Sequence, residues 1–172
     1  MNSIFLPVLD QNEINLLTNK DNKEELFDLF TQPLHEELYK QGNFEFIEQL
    51  SEGQQLFISW DYVCMQVGQG GFIQLIQNGY IGLLPTMVEQ LYMMAINDMA
   101  LVLDDVLKVF VLNQEQLSKN TSIEEFARLY DEFKEFELIE ARFMEHKKQA
   151  MEMMLAYALN HLDEFCTVAG LN

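Results

Sequence analysis

Basic residues are scarce: 10 Lys and Arg stand against 28 Asp and Glu in 172 residues, a formal charge of −18 at pH 7. A protein that grips DNA or RNA neutralises phosphates with basic side chains, so a direct nucleic-acid partner is excluded. Histidine is scarce too. His35, His146 and His161 form no H-E-x-x-H, and Gln32, Phe143 and Ala158 stand where the Glu-x-x-His pairs of a di-iron bundle would need glutamate. No metal and no cofactor is expected. Cys64 and Cys166, the only cysteines, lack C-x-x-C spacing and lie in apolar helical patterns, which places them reduced in a core. Long hydrophobic runs are missing as well. The best, residues 99–112, is cut by Asp104, Asp105 and Lys108, short of the roughly 20 residues a membrane span requires. Residues 1–10 have no basic leader region and are interrupted by Pro7 and Asp10. A cytoplasmic protein away from membranes is expected.

Glycine and proline are confined to the first half and the last few residues. Between Thr86 and Ala169 neither occurs, a run of 84 residues. A β domain needs turn residues every 8–12 positions or so, which this run lacks. What the chain does hold is apolar: 49% hydrophobic and 12% aromatic residues, too many for a disordered acidic tail. From Phe126 on, Leu129, Tyr130, Phe133, Phe136, Phe143, Met144, Met151, Met154, Leu155, Ala158, Leu162 and Phe165 share a stripe about 120° wide at the helical period. Leu138 and Ile139 fall outside it, which predicts a break or second buried face near residues 137–140. The expectation is an all-α fold of six to nine helices in one domain, residues 1–172, with a core at 51–80 and acidic C-terminal helices at 122–166.

Several helix ends can be placed. Ser51 with Gln54, and Ser122 with Glu125, read as capping boxes. The first opens a helix through Trp60 to about Val67, with Gly68 as its stop; a short helix follows over residues 72–78, with Gly79 beyond it. Pro85 suits the first turn of the next helix. Upstream, Leu26, Phe27, Phe30, Leu34 and Leu38 line one side of a helix over residues 24–39, with a kink expected at Pro33.

Catalytic constellations are not visible. His161, close to Asp163 and Glu164, could act as an acid or base, but a histidine at a helix end ordinarily meets the dipole or solvent. Cys64 has no histidine near it in sequence. The run Gly68-Gln69-Gly70-Gly71 lacks the Lys-Ser/Thr of a phosphate loop. The segment carries another pattern: Trp60, then Gly70-Gly71-Phe72, Gln74, and Asn78-Gly79. It resembles the G-G-F-x-Q-x-x-x-N-G signature of a bacterial family of small helical proteins whose best understood member is an acidic, dimeric DNA mimic. The resemblance covers residues 50–165 and departs at Gln69, where the family usually has Asn. It implies a helical fold, an interaction role and a possible homodimer, with Met93, Met94 and Phe110 as candidate interface positions and the core as their alternative home. Physically, paired glycines permit positive φ and close helix approach, and Gln74 and Asn78 share one helix face, able to cap backbone groups or line a cleft.

The acids can then be weighed. On a continuous helix Glu124, Asp131 and Glu135 lie within about 40° opposite the apolar stripe, and the step from Asp131 to Glu135 rises about 6 Å, near a phosphate spacing. Glu132 adjoins them, and Glu24, Glu25 and Asp28 form a second acidic group. Such a surface can fill the basic groove of a DNA-binding protein. Alternatively it is a solvated face, with Arg128 placed to pair Glu124 and Glu132, and Lys134 to pair Asp131. The net charge exceeds the magnitude of about 2–8 that solubility asks of a small domain. The leading expectation is a non-enzymatic acidic interaction protein, a DNA mimic that blocks a basic DNA-binding protein. An immunity-type inhibitor of a basic nuclease toxin is the second reading, and a small-molecule site near Trp60, Phe72, Gln74 and Asn78 the third.

Overall fold

A computed structural model describes residues 4–170; the first three residues of the N-terminal segment 1–10 lie outside them. Nine α-helices occur among the described residues: α1 (Gln11–Asn19), α2 (Lys23–Gln41), α3 (Glu52–Gln77), α4 (Leu84–Met93), α5 (Asn97–Leu112), α6 (Gln114–Leu117), α7 (Ile123–Glu132), α8 (Glu135–Asn160) and α9 (Leu162–Phe165). Short 3-10 turns span Phe44–Gln49 and Tyr80–Leu83. The fold is all-α, with one addition that hydrophobic periodicity did not announce: β1 (Val8–Asp10) pairs in parallel with β2 (Thr167–Ala169), Leu9 opposite Val168. No helix among the described residues is long and apolar enough to cross a membrane. The chain divides into two compact units, residues 1–58 with 151–172, and residues 59–150.

In the first unit, Asp10 caps α1 by accepting from the Asn12 N–H at 2.8 Å, and Asn22 caps α2. α2 runs as one helix from Lys23 to Gln41 with Pro33, where a kink is expected, inside it. Proline removes a single i→i−4 bond, whereas Leu26, Phe27, Phe30, Leu34 and Leu38, on both sides of it, are all buried and hold the helix to its core. Phe27 stacks on Phe57 with centroids 4.8 Å apart, and Phe165 meets Phe57 edge-on at 4.9 Å. The Ser51–Gln54 capping box forms as expected: Gln54 N–H donates to Ser51 Oγ at 3.1 Å and Ser51 N–H to Gln54 Oε1 at 2.9 Å. The same carboxamide also donates through Nε2 to the carbonyls of Phe5 and Phe165, both at 2.9 Å.

In the second unit, α3 turns Trp60, Val63 and Val67 inward. Gly68 does not stop it. The helix passes through this exposed glycine and breaks at Gly70 and Gly71, the only residues in α3 with non-helical dihedrals. A lone glycine costs a helix about 1 kcal/mol, which the buried residues around it can offset. Pro85 occupies the first turn of α4 as expected, and α4 packs against α5 across a turn that holds Ala95 at φ 59°. Met93 is 72% exposed and so does not belong to the core, while Met94 and Phe110 are half-buried. The second capping box also forms, with Glu125 N–H donating to Ser122 Oγ at 3.3 Å and Ser122 N–H to Glu125 Oε2 at 2.8 Å.

The C-terminal helices bury or half-bury the predicted stripe, Met144 excepted. Of the break or second buried face expected near residues 137–140, the break lies earlier, at Phe133 and Lys134 between α7 and α8, while Ile139 is buried. Phe133 leaves helical geometry at φ −113°, ψ 56°. Phe136, Ile139 and Phe143 then point inward, while Met144, counted in the stripe, is 59% exposed and Leu138 is 73% exposed. Phe133 and Phe136 are both buried on either side of this break, their ring centroids 6.5 Å apart.

Candidate functional site

The break in α3 is where distant segments meet. Gly71 sits at φ 69°, ψ −169°, a combination that side chains avoid and glycine adopts at little cost. This turn leaves the first N–H groups of the segment after it, residues 72–77, without helical partners. Glu140 of α8 supplies one: its Oε1 accepts from the Phe72 N–H at 2.8 Å. A Cβ on Gly71 would fall on that carboxyl group. Tyr130 of α7 donates its hydroxyl to the Gly70 carbonyl at 2.6 Å. Beneath the turn Phe72 is fully buried, with Phe143 at 5.5 Å and Phe136 at 6.3 Å, and Trp60 lies 5.7 Å from Phe143.

The amides of the motif bond to one another across the break. Gln66 Oε1 accepts from Asn78 Nδ2 at 2.7 Å and from Gln74 Nε2 at 3.3 Å, and Gln74 Nε2 also donates to Gln69 Oε1 at 3.2 Å. Gln74 and Asn78 thus share a face, as their spacing requires, and both engage the helix before the break. Gly79, at φ 82°, ends the short segment, and its N–H donates to the Ile76 carbonyl. Residue spacing had singled out neither Glu140 nor Tyr130. They lie 68 and 60 positions from their partners, and Tyr130 read only as one more member of an apolar stripe.

Burial pushes the Glu140 carboxyl above its ordinary 4.5, with a small addition from Glu137, although the Phe72 N–H opposes the shift. The folded state therefore holds this proton more tightly than the unfolded chain. The group's contribution to stability is greatest below about pH 4.5 and is lost as pH rises through the folded value. Glu140→Gln removes this loss, so relative to the parent the variant gains stability between pH 5 and pH 8, measured by urea unfolding at each pH. A constant difference between the two proteins across that range would contradict the assignment.

The isolated candidates for chemistry are quiet. Cys64 and Cys166 are free thiols; burial pushes Cys64 up to about 12, so it carries no nucleophilic thiolate near neutral pH. His161 lies at the C-terminus of α8, stacked on the Tyr157 ring at 4.1 Å, with Nδ1 2.9 Å from the Tyr157 carbonyl. This is the dipole-end position expected of it. The Tyr157 hydroxyl donates to Glu164, whose two oxygens lie at 3.0 and 3.1 Å. No group of three or more potential ligands placed to hold a metal ion occurs among the described residues.

A family model described as DMP19-like protein matches residues 48–161. The chain belongs to that family. No curated protein matches the chain. The DMP19-like match begins just before the Ser51 capping box, contains the whole Gly70–Gly71 corner with its Tyr130 and Glu140 partners, and ends at His161; it leaves out α1, α2 and both strands. Its extent agrees with the resemblance read over residues 50–165.

Within the DMP19-like match lie Glu124, Asp131 and Glu132 on α7 and Glu135 on α8, all exposed. Because α7 ends at Glu132, Glu135 starts a new helix, and the continuous-helix spacing expected between Asp131 and Glu135 does not hold. The expected pairing fails too: among the described residues neither Arg128 nor Lys134 has a carboxylate within 4 Å. The basic residues neutralise other acids. Lys108 reaches Asp104 at 2.9 Å and Asp105 at 3.0 Å, and Arg142 reaches Asp105 at 2.7 Å, holding that carboxyl below its usual range. Outside the match, Glu24, Glu25 and Asp28 are exposed on α2, where Lys23 turns instead to Asp21 and Glu152. The first unit carries 14 acids against Lys20, Lys23 and Lys40, a net of −11, and the second 14 against seven bases, a net of −7.

Proposed function

We propose that this DMP19-like chain is a non-enzymatic interaction protein that binds the basic DNA-contacting face of a DNA-binding protein and keeps DNA off it. One observation carries the reading: Glu124, Asp131, Glu132 and Glu135 are exposed and free of ion pairs among the described residues, while the nearby bases serve other acids or none. Carboxylates left open in this way set up a field that attracts a basic surface and raises its association rate. The family resemblance, to an acidic DNA mimic, supports the same role, and Glu24, Glu25 and Asp28 give the first unit an exposed acidic group of its own on α2.

The test begins with the immobilised protein in a cell extract at about 50 mM salt. The expected result is recovery of a DNA-binding protein that duplex DNA then elutes, and that is also released near 500 mM salt as screening shortens. The quadruple variant E124Q/D131N/E132Q/E135Q should weaken capture of that protein at least tenfold without lowering thermal stability, because each side chain is exposed. Retention of the captured protein in excess duplex would sink the mimicry and point to an inhibitor that acts away from the DNA site.

A further inference from the structure

The first unit contains a cleft that the acidic-surface reading does not use. It has a volume of about 210 Å³ and lies among α1, α2 and the last turns of α8. Leu17, Leu26, Leu155 and Leu159 form apolar walls. At its mouth the Lys23 ammonium is held between Glu152 at 2.8 Å and Asp21 at 3.3 Å, and Asp21 is 81% exposed. Glu24 and Glu25, exposed in the first turn of α2, directly follow Lys23. A volume of this size is below the roughly 300–1,000 Å³ that encloses a drug-sized molecule, and suits one aliphatic side chain.

From this geometry we infer that the cleft receives a single aliphatic side chain, Leu or Ile in type, from a basic segment of the protein partner, with the flanking Lys and Arg of that segment meeting Asp21, Glu24 and Glu25. The inference rests on the reading that the partner is basic. Charge complementarity selects the occupant: two carboxylates and one ammonium at the mouth, in a unit of net charge −11, repel an anionic ligand and favour a cationic one. The apolar walls supply what charge alone does not, since an anchor buried in a pocket lengthens residence while rim charges mainly set the encounter rate. Two of the three helices around the cleft lie outside the residues that match the family model, so the anchor belongs to this chain's own N-terminal helices.

The test uses the full chain and three labelled seven-residue probes: a Lys/Arg peptide with a central Leu, the same peptide with Ser in place of Leu, and a Gly/Ser peptide with the central Leu. Anisotropy titration should show the basic Leu peptide binding at least about tenfold more tightly than the Ser peptide, with the preference retained at about 500 mM salt. The methyl resonances of Leu17, Leu26, Leu155 and Leu159 should shift with it. Ala156 is exposed and lines the cleft, so Ala156→Phe fills the space without disturbing the core and should erase the Leu preference while leaving Ser-peptide binding unchanged. Equal binding of the two basic peptides, or a Leu preference that survives Ala156→Phe, overturns the anchor and leaves the acidic-surface reading standing. Equal binding of the Gly/Ser and basic Leu peptides overturns the charge half of the inference. Failure of both basic peptides to bind at low salt overturns the basic-partner reading itself.

Discussion

Replacing Gln54 with Leu is expected to lower the unfolding free energy by about 3–5 kcal/mol, a large share of the 5–15 kcal/mol that holds a typical domain together. Gln54 is fully buried, and its carboxamide serves three main-chain groups: the Ser51 N–H and the carbonyls of Phe5 and Phe165. Leucine is no smaller than glutamine, so the loss comes mainly from leaving those groups unsatisfied, at about 1–3 kcal/mol each with partial relaxation, and not from a cavity. The consequence reaches beyond one turn of helix. Phe5 N–H donates to the Gln49 carbonyl and Thr167 N–H to the Pro7 carbonyl, so the carboxamide sits where both terminal segments of the first unit are tied to α3. Ser51→Ala, which removes only the cap, should cost about 1 kcal/mol. Gln54→Glu keeps the acceptor for Ser51 but points a carboxylate at two carbonyls, so it should be at least as damaging as Leu at pH 8 and milder at pH 5, where protonation restores a donor. Urea unfolding of the three variants decides this; a Leu variant within 1 kcal/mol of the parent would show that the terminal segments are held by other means.

Gln54 also marks the boundary of what the sequence disclosed. Its role in a capping box follows from its place three residues after Ser51, and both bonds of the box are present. Its other bonds cross 49 and 111 positions, and no local pattern encodes them. The same division runs through the molecule. Apolar spacing and the missing glycines and prolines are local properties, and they place the helices, Pro85 and both caps. The break in α3 was misplaced at Gly68 because any glycine can end a helix, whereas among the glycines within α3 it is Gly71 that adopts positive φ. The C-terminal stripe was legible because helical spacing is local, and Met144 is its one exposed member; the break at Phe133 and Lys134 was not, and Ile139 joins the core as a second buried face near residues 137–140 would require. The acids were legible as residues but their pairing was not. Spacings of three and four assigned Arg128 and Lys134 to nearby carboxylates, whereas the short bond from Arg142 runs to Asp105, 37 positions away.

Gly71→Ala should produce the other large effect, a loss of about 3–5 kcal/mol. Part of it is backbone strain: φ 69° with ψ −169° costs a residue bearing Cβ about 1–3 kcal/mol. The rest comes from Glu140, because the new Cβ occupies the place of the carboxyl group and separates it from the Phe72 N–H. The two parts can be told apart. In a Glu140→Ala background the collision is gone and the hydrogen bond already lost, so Gly71→Ala should then cost only the backbone share, and the double-mutant cycle should return a coupling of about 1–2 kcal/mol. Gly70→Ala is the control. Its φ of −161° is open to any residue, so its cost comes without backbone strain, from displacing the Gln74 side chain off Gln66 and Gln69, and it should show no coupling to Glu140. Additive losses at Gly71 and Glu140 would deny the contact between them. Because Tyr130 also donates to the Gly70 carbonyl, distortion at Gly71 should be felt in α7. Increased hydrogen exchange across residues 123–132 in Gly71→Ala, but not in Gly70→Ala, would mean that the corner steadies the helix bearing Glu124, Asp131 and Glu132. The glycine motif would then act on the acidic surface by holding its helix in place, with no part in contacting a partner itself.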